Sequence, residues 1–358
     1  MDPLRVGVVG CGQIAQIMHL PFLAELPQFR LDAICDLSPR VVAAVGERYH
    51  VPFRTNDFRE LIARDGIDVV AVLTMDHPPV AIAAAEAGKH LFIEKPLAFS
   101  LADADRVISA VEHAGVTAMI GYMKRYDPGY EYGAARMQAM KGVSLIRVHD
   151  FAGDFGVHPT LFTLVTAEDL PADQAATQQA SIEAAQRAAL GESHAHLASL
   201  YGMVLMLSSH DLTILRGAFG PPRGVLYSDA IAPLQILSVL DYGEGRRCVF
   251  EAAVGSRYLW FDEQLTAWGE DEIIEIAFPN PYVPYAATTV NIRGNAEGSP
   301  YRTEIPVSNQ ESFRREWLHF YDCVRNGTPP RTTLADARAD VALAIDMVRA
   351  IPVGSSNG

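Results

Sequence analysis

One lysine of the sequence stands where an amine can act on a bound molecule. Glu94-Lys95-Pro96 directly follows the apolar run Leu91-Phe92-Ile93, which has the character of a buried strand. Open α/β sheets bind ligands at the carboxyl ends of their strands, and the proline restricts Lys95 to extended backbone, which fixes the direction of its side chain. A cationic ligand and partial desolvation would lower the pKa of the amine, which suits proton transfer. On residue types alone, an exposed lysine after an edge turn is an equally good interpretation.

A glycine-rich turn follows the first apolar run of the chain. Residues 5–15 read RVGVVGCGQIA, with Gly10, Gly12 and Ala15 in the spacing G-x-G-x-x-A. The first glycine permits a tight turn, the second leaves room for a pyrophosphate, and the small third residue lets the next helix pack closely. The start of that helix offers unpaired N–H groups to phosphates. The pattern predicts cofactor contacts from four residues: Gly10, Gly12, Gln13 and Ile14.

An acidic residue ends the second predicted strand, residues 31–35. Asp36 follows the glycine turn at about the twenty-residue distance at which a carboxylate accepts hydrogen bonds from the adenosine ribose. A carboxylate there repels a 2′-phosphate, so the sequence favours NAD over NADP. Arg40, four residues later, is able to tolerate a phosphate and weakens this preference. The alternative interpretation of Asp36 is a solvated loop acid.

Composition restricts the class of protein. The chain has 358 residues, 49% of them hydrophobic and 20% charged, with a formal net charge of −14. This length favours two domains, and the negative charge argues against nucleic acid and anionic membranes as partners. The first residues show no signal-peptide pattern, and the four scattered cysteines suggest neither disulfides nor a structural metal. We therefore expect a cytoplasmic protein that binds no metal.

The order of predicted elements gives an α/β fold with two domains. Residues 4–121 alternate short apolar runs with helical patterns, which predicts a Rossmann domain with a parallel sheet over residues 1–121. Residues 122–358 form the second domain, predicted to be α+β with a large open, mostly antiparallel sheet because short turns join its strands. The strand regions are Val225–Tyr242, Arg247–Val254, Gln264–Trp268 and Ile273–Phe278, and the helices are Leu101–Ala114, Ser312–Asn326 and Leu334–Ile351.

A polar, alanine-rich insertion interrupts the second domain at residues 151–200, with a helical pattern over residues 177–200. It is longer than a plain connection, and its two natural uses are a lid over the substrate or an oligomer contact. We expect the helix over residues 334–351 to pack back near the Rossmann domain, and residues 354–358 to be disordered.

Five motifs together resemble one family. The motifs are GVVGCGQIA, the CD pair that ends the second strand, AGKHLFIEKPLAFS, GYMKRYDP and the C-terminal FRREWLHFYDCVRNGTPPRTTLADARADVALAIDMVRA. The family they resemble is Gfo/Idh/MocA, whose members include inositol dehydrogenase and glucose–fructose oxidoreductase. The resemblance covers the first third of the chain closely and the last fifty residues well. It implies an NAD(P)-dependent oxidoreductase of sugars and cyclitols, with Lys95 in proton transfer and substrate positioning.

The resemblance also implies contacts to the nicotinamide half of the cofactor. The family's T-P-N-x-x-H motif appears here as Thr74-Met75-Asp76-His77, two residues shorter. We therefore expect Thr74, His77, Glu94 and Lys95 to contact the cofactor.

The second catalytic motif of the family, D-x-x-x-H, is only half present. His210 takes the place of the family's histidine, but Met206 stands where the family has aspartate. Either Lys95 and His210 do the chemistry, with His210 held by another acid such as Asp150 or Asp211, or the protein binds nucleotide and ligand with poor turnover. A buried structural histidine is the other interpretation of His210.

The expected function is hydride transfer between a nicotinamide cofactor and a secondary hydroxyl of a sugar, cyclitol or glycoside. The alternative is a non-catalytic nucleotide- and sugar-sensing regulatory protein on the same fold. The expected partner of the protein is a small polyhydroxylated substrate. We also expect it to form a homodimer or homotetramer through the C-terminal sheet. The residues expected to bind substrate are Lys95, Tyr122, Lys124, Arg125, Tyr126, His149 and His210.

Overall fold

The structure is a computed structural model that describes residues 2–153, 161–255 and 260–353. The tail predicted to be disordered, residues 354–358, lies outside these ranges. The chain divides into two compact units. The first unit contains Met1–Tyr122, the described part of His158–Ala185, and Phe313–Val341; the second contains the remaining segments.

The first unit is built on a six-stranded parallel sheet with the strand order β3-β2-β1-β4-β5-β6, as the predicted Rossmann domain requires. The order reverses between β1 and β4, and ligands bind at such a switch point, beyond the carboxyl ends of the strands. All four residues of β4 are buried, because helices cover both faces of a parallel sheet. The strands are β1 Leu4–Val9, β2 Phe29–Cys35, β3 Phe53–Thr55, β4 Val69–Val72, β5 His90–Glu94 and β6 Ala118–Gly121.

Helices alternate with these strands. A π-helical turn, Ala15–His19, leads into α1. Ser100 accepts a hydrogen bond from the N–H of Asp103 and so caps α5, which ends at Gly115 with φ of 63°; both ends match the sequence prediction. The helices are α1 Leu20–Glu25, α2 Pro39–Arg48, α3 Phe58–Ile62, α4 Pro78–Glu86 and α5 Leu101–Ala114.

The second unit contains an eight-stranded sheet with the order β14-β13-β12-β11-β7-β10-β9-β8. Only the β7–β10 pair is parallel among the pairs described, so the prediction of a mostly antiparallel sheet is confirmed. The region predicted as one strand, residues 225–242, is the hairpin of β8 and β9, and β13 and β14 were not predicted. The strands are β7 Leu145–Ala152, β8 Gly224–Ala232, β9 Gln235–Asp241, β10 Arg247–Val254, β11 Phe261–Trp268, β12 Glu272–Phe278, β13 Thr289–Ala296 and β14 Ser299–Pro306.

The remaining helices differ from the sequence prediction in two places. The helix expected over residues 177–200 is interrupted at Gly191, whose φ of 77° is left-handed, and α6 was not predicted. No single described helix is long and apolar enough to cross a membrane; α8 and α9 with the turn before them meet that test only together, and they are bent by 61°. The helices are α6 Pro128–Ala139, α7 Ala172–Leu190, α8 Ala198–Met206, α9 Ser209–Phe219, α10 Ser312–Asn326 and α11 Leu334–Arg349.

Helix α10 packs on the parallel sheet, although the sequence analysis placed it in the second domain. The Trp317 ring stacks on Phe92 of β5 with the ring centroids 4.1 Å apart, and Trp317 and Phe320 are completely buried. Aromatic burial of this kind contributes on the order of 2 kcal/mol for each side chain. The apolar stripe of α10 therefore completes the core of the first unit.

Candidate functional site

The glycine turn, residues 10–15, has the geometry that its sequence predicts. Gly10 has φ of 95°, and a Cβ atom there would lie 2.6 Å from the carbonyl oxygen of Leu73. Only glycine therefore fits that position without strain. A Cβ atom at Gly12 would meet nothing within 4 Å, so this second glycine borders open space at the carboxyl edge of the sheet. Gln13 and Ile14 follow it and are half-buried.

Asp36 joins the loop after β2 to the glycine turn. Its Oδ2 accepts a hydrogen bond from the N–H of Cys11 at 2.8 Å, and its Oδ1 accepts one from the N–H of Ser38 at 2.9 Å. Each carboxylate oxygen has a second lone pair, so Asp36 retains the capacity to accept hydrogen bonds from a ribose. The structure thus brings Gly10, Gly12 and Asp36 to one edge of the sheet.

Thr74 and His77 lie on the loop after β4. The hydroxyl of Thr74 donates to the carbonyl of Asp76 at 3.0 Å. His77 is buried, and its Nδ1 donates to the carbonyl of Pro96 at 2.6 Å. Burial lowers the pKa of His77, so the ring is neutral and carries its proton on Nδ1. His77 therefore ties the β4 loop to the segment that contains Lys95.

A buried chain of hydrogen bonds lies beneath Lys95. The indole N–H of Trp317 donates to Nδ1 of His19 at 3.2 Å, so the proton of that ring is on Nε2. Nε2 donates to Oε1 of Glu94 at 2.9 Å, and Oε2 of Glu94 accepts the backbone N–H of Lys95 at 3.0 Å. This chain fixes the backbone on the amino side of Lys95.

The same contacts determine the charge of Glu94. Burial alone raises the pKa of this carboxyl, but the hydrogen bond from His19 and the nearby charge of Lys95 outweigh burial, so its pKa is lowered. Glu94 is thus an ionised, buried residue that points into the first unit. The cofactor contact expected of Glu94 stays a prediction, and the bonds the structure gives its carboxylate are to His19 and to the backbone of Lys95.

In the second unit, a break in the helix separates Met206 from His210. Met206 ends α8, and His210 lies in the first turn of α9, with a bend of 61° between the two helical segments. Met206 and His210 therefore do not lie on one continuous helix. His210 is half-buried.

Three buried acids lie next to this break. The hydroxyl of Ser208 donates to Asp150 at 2.5 Å, and carboxylate oxygens of Asp150, Asp211 and Glu263 lie within 4.8 Å of one another. Burial and then the charge of Asp150 raise the pKa of Asp211 well above its ordinary value. A carboxyl with a raised pKa is a weaker source of negative charge than an ordinary aspartate.

Lys124 supplies the positive charge of this cluster. Its buried ammonium pairs with Glu263 and lies 5.1 Å from the ring centroid of Phe278. The sequence analysis expected Lys124 to reach substrate hydroxyls, whereas the structure holds it in a buried ion pair. Breaking such a pair costs about 3–5 kcal/mol, because it leaves an uncompensated buried charge.

Four further residues expected to bind substrate have structural partners or are buried. Arg125 donates to the carbonyl of Thr213 at 3.2 Å, and Tyr122 and Tyr126 are each 1% exposed. His149 lies 3.0 Å from Glu251 and 3.3 Å from Asp262. Because residues alternate along a strand, His149 lies on the sheet face opposite to Asp150. The structure does not bring His149 together with the helix that carries His210.

Three buried residues of the first unit that lie close to Glu94 were not predicted from the sequence as part of the site. His19, Trp317 and Glu316 are completely buried, and they come from segments almost 300 positions apart in the sequence. Amphipathic spacing places Trp317 on the buried face of its helix, but no local pattern pairs it with His19.

Comparisons with known proteins agree with this geometry. Residues 4–122 match the model of the GFO_IDH_MocA oxidoreductase family, described as an NAD-binding Rossmann fold. Inositol 2-dehydrogenase of Salmonella typhimurium is 37% identical over 132 residues, which is 36% of this chain and 39% of that protein. Several curated relatives are likewise matched over less than two fifths of their own length.

Two further comparisons extend over the whole chain. The scyllo-inositol 2-dehydrogenase (NAD(+)) of Bacillus subtilis is 25% identical, with 96% of this chain and 92% of that protein aligned. Aldose–aldose oxidoreductase from Caulobacter crescentus has a TM-score of 0.72 at 21% identity, and the match covers 97% of both chains. The latter likeness shows that the two-sheet fold is shared.

Proposed function

On the premise that residues 4–122 match the model of the Gfo/Idh/MocA oxidoreductase family, we propose that the chain transfers a hydride between NAD and a secondary hydroxyl of a sugar, cyclitol or glycoside. The observation that carries the proposal is the meeting of three features at one edge of the first sheet. The glycine turn follows β1, Asp36 follows β2, and Lys95 follows β5. Inositol dehydrogenases among the relatives support the substrate class.

The residues at this edge fit a dinucleotide. Open space beside Gly12 and the adjoining helix start suit a pyrophosphate, with Gln13 and Ile14 beside it. Asp36 has the remaining lone pairs that a ribose needs. Thr74, His77 and Lys95 lie on the loops after β4 and β5 and are proposed to border the nicotinamide half.

The proposed chemistry separates a hydride from a proton. When bound, NAD accepts the hydride from the carbinol carbon, and NADH returns it in the reverse direction. Lys95 takes the hydroxyl proton as the carbonyl forms and gives it back in the reverse reaction. Glu94 and His77 hold the backbone on either side of Lys95, so its amine has a defined starting point. His210 is proposed for a second proton-transfer role, because it takes the place of the histidine in the half-present family motif.

A direct test measures NADH formation with a panel of inositols, aldoses and glycosides. We expect turnover with at least one class, and a Lys95→Met variant with kcat reduced by about 10²–10⁴-fold, the usual contribution of a positioned acid or base. Its Kd for NAD should change little.

Lys89→Met is the matched control. Lys89 lies just before β5 and donates to the carbonyls of Arg64 and Ile67, so it tests the same substitution at the opposite end of the strand. Activity of Lys95→Met equal to that of Lys89→Met would remove the proton-transfer role, and absence of NAD binding would refute the proposed function.

The second candidate is a nucleotide- and sugar-sensing protein without turnover. Met206 and the helix break before His210 favour it, because a methionine neither orients an imidazole nor moves a proton. Binding of NAD with no NADH formation across the panel, together with a ligand-induced rise in Tm, would support the sensor.

The proposed assembly is a homodimer or homotetramer through the second sheet. Large apolar side chains are exposed on β8 and in its turn to β9, including Leu226 at 54% and Ile231 at 46%. Apolar side chains grouped in this way are typical of association surfaces.

A further inference from the structure

The insertion contacts the loops that follow three strands of the parallel sheet. Its described residues in the first unit, 161–185, are called the strap below. The strap bonds to Gln16 after the glycine turn, to Ser38 and Arg40 after β2, and to Asp76 after β4. These loops border the carboxyl edge at which a Rossmann sheet holds a dinucleotide. Neither use that the sequence suggested, a substrate lid or an oligomer contact, includes contacts of this kind.

One end of the strap is held by a pair of hydrogen bonds to a single side chain. The amide of Gln16 accepts the N–H of Val165 at 2.9 Å and donates to the carbonyl of Val165 at 2.9 Å. The same amide nitrogen donates to the carbonyl of Cys11, inside the glycine turn, at 2.8 Å. Gln16 is 5% exposed, so this junction is enclosed.

The next turn of the strap places two carboxylates beside the β2 loop. The hydroxyl of Ser38 donates to Asp169, and the N–H of Arg40 donates to Oδ2 of Asp169 at 2.8 Å. The guanidinium of Arg40 is paired with Glu168. Because the N–H of Ser38 also donates to Asp36, Asp36 and Asp169 are both bonded to the same residue.

These contacts occupy the groups that would recognise a phosphate on the adenosine ribose. In Rossmann domains an acidic residue at the position of Asp36 binds the 2′-hydroxyl, and a nearby arginine accommodates a 2′-phosphate. Here the hydroxyl of Ser38, the backbone N–H of Arg40 at the start of α2 and the guanidinium of Arg40 lie close together. Groups of these kinds are the donors that phosphates prefer. All three already serve carboxylates of the strap.

We propose that Glu168 and Asp169 of the strap are specificity-determining residues of the cofactor site, which exclude a 2′-phosphate and so select NAD over NADP. The proposal rests on the binding of a dinucleotide proposed above. It extends the specificity attributed to Asp36 to a segment about 130 positions away in the sequence. Arg40, which the sequence alone leaves available to a phosphate, is bound by Glu168.

Both carboxylates are ionised at neutral pH. The hydrogen bond from Ser38 lowers the pKa of Asp169, and those from Thr166 and Arg40 lower the pKa of Glu168. A 2′-phosphate is a dianion near neutral pH, so it meets like charge at the ribose position. The repulsion acts at the surface, and salt therefore weakens it.

The test measures Kd for NAD and for NADP by calorimetry in the full chain. In Glu168→Gln/Asp169→Asn, the amide oxygens keep acceptors for Ser38 and Arg40 but remove two negative charges. We expect affinity for NADP to rise about tenfold or more, corresponding to ~1.4 kcal/mol, and affinity for NAD to stay within about threefold. Adding Arg40→Gln should abolish the gain, because the released guanidinium is the expected phosphate partner.

Asp173→Asn/Glu183→Gln is the matched control, since it removes the same charge from exposed positions of α7 that bond neither Ser38 nor Arg40. The inference would be overturned if the wild-type chain binds NAD but the strap variant gains no more affinity for NADP than this control. That result would leave the proposed function intact. Failure of the wild-type chain to bind NAD would instead refute the proposed function. If the double variant does not fold, the change in NADP affinity is compared between single variants. Glu168→Gln is then matched with Glu183→Gln, and Asp169→Asn with Asp173→Asn.

Discussion

Two buried glutamates of the first unit have pKa values shifted in opposite directions because their partners differ. Glu94 accepts hydrogen bonds from His19 and from the backbone of Lys95, and its pKa is lowered. Among the described residues, the carboxyl of Glu316 has no such partners apart from the backbone of Tyr122. Burial, and then the charge of Glu94, raise the pKa of Glu316 well above 4.5. The structure therefore contains two buried acids with oppositely shifted pKa values in the first unit.

The raised pKa of Glu316 predicts a pH-dependent stability. Its folded pKa is raised, so its favourable contribution is fully present below pH 4.5, its ordinary pKa, and is lost as pH rises toward the folded value. Glu316→Gln keeps the shape of the neutral acid and removes this loss. We expect the variant to match wild type at acid pH and to exceed it at pH 7 by about 1 kcal/mol or more in unfolding free energy, measured by urea denaturation.

Glu112→Gln is the control for this prediction, because Glu112 is exposed on α5 and a surface substitution changes stability by no more than about 0.5 kcal/mol. If the difference in unfolding free energy between Glu316→Gln and wild type does not vary with pH, the raised pKa of Glu316 is contradicted.

At the scale of elements, the two glycines of the turn between β1 and the following helix serve different purposes: one is needed by the backbone, and the other is proposed to admit a ligand. Gly10 has a positive φ and lies against the backbone at Leu73 and Thr74, whereas Gly12 borders open space. Both glycines belong to the same sequence pattern, yet only the first is needed by the folded chain itself. We propose that the second leaves room for a ligand that approaches the backbone closely.

This difference predicts opposite outcomes for two alanine substitutions. Gly10→Ala should lower the unfolding free energy by about 1–3 kcal/mol, the cost of a strained non-glycine backbone, with a loss of NAD affinity that follows from the distorted turn. Gly12→Ala should leave Tm within about 2 °C of wild type but weaken NAD binding at least about tenfold. Thermal unfolding and calorimetry with NAD check both, and normal NAD affinity in Gly12→Ala would contradict the assigned pyrophosphate position.

Elements with strong local signals were predicted well, and those defined by long-range contacts were not. The bounds of α5 and α10 agree with the sequence prediction, because an apolar stripe and a stop residue coincide in each helix, and α5 also has a cap. Helix α6 lacks a clear apolar stripe because glycines take the place of larger apolar side chains on its packed face. Gly129 and Gly133 let the helix lie close to Thr288 and Ile276. The break between α8 and α9 carries neither glycine nor proline, so local sequence gave no warning of it.

At the scale of the molecule, the second sheet has one buried face and one that is partly exposed. Along β9 and β10 buried residues alternate with half-buried ones, as expected for a sheet with helices on one side. The edge strand β8 departs from this order, because its bulges expose Leu226 and Ile231. A surface of this kind suits association of the protein with itself.

We therefore predict that Leu226→Lys/Ile231→Lys shifts a dimer or tetramer toward monomer, with dissociation increased at least about tenfold because charges are depleted at the centre of interfaces. Light scattering coupled to size exclusion measures the change. Val283→Lys is the control, since Val283 is also exposed, at 47%, but lies outside the strands. A wild-type monomer, or equal masses for both variants, would contradict assembly through β8.

The sequence by itself determined the parallel sheet, the glycine turn, Asp36 and the position of Lys95, because each depends on residues close together in the chain. Tertiary structure alone decided the rest. It joined His19 to Glu94 and Trp317, enclosed Lys124 with Glu263, turned His149 to the other face of its sheet and brought Glu168 and Asp169 to the loop after β2. These contacts depend on which distant segments pack together, and no local pattern of residue types encodes that choice.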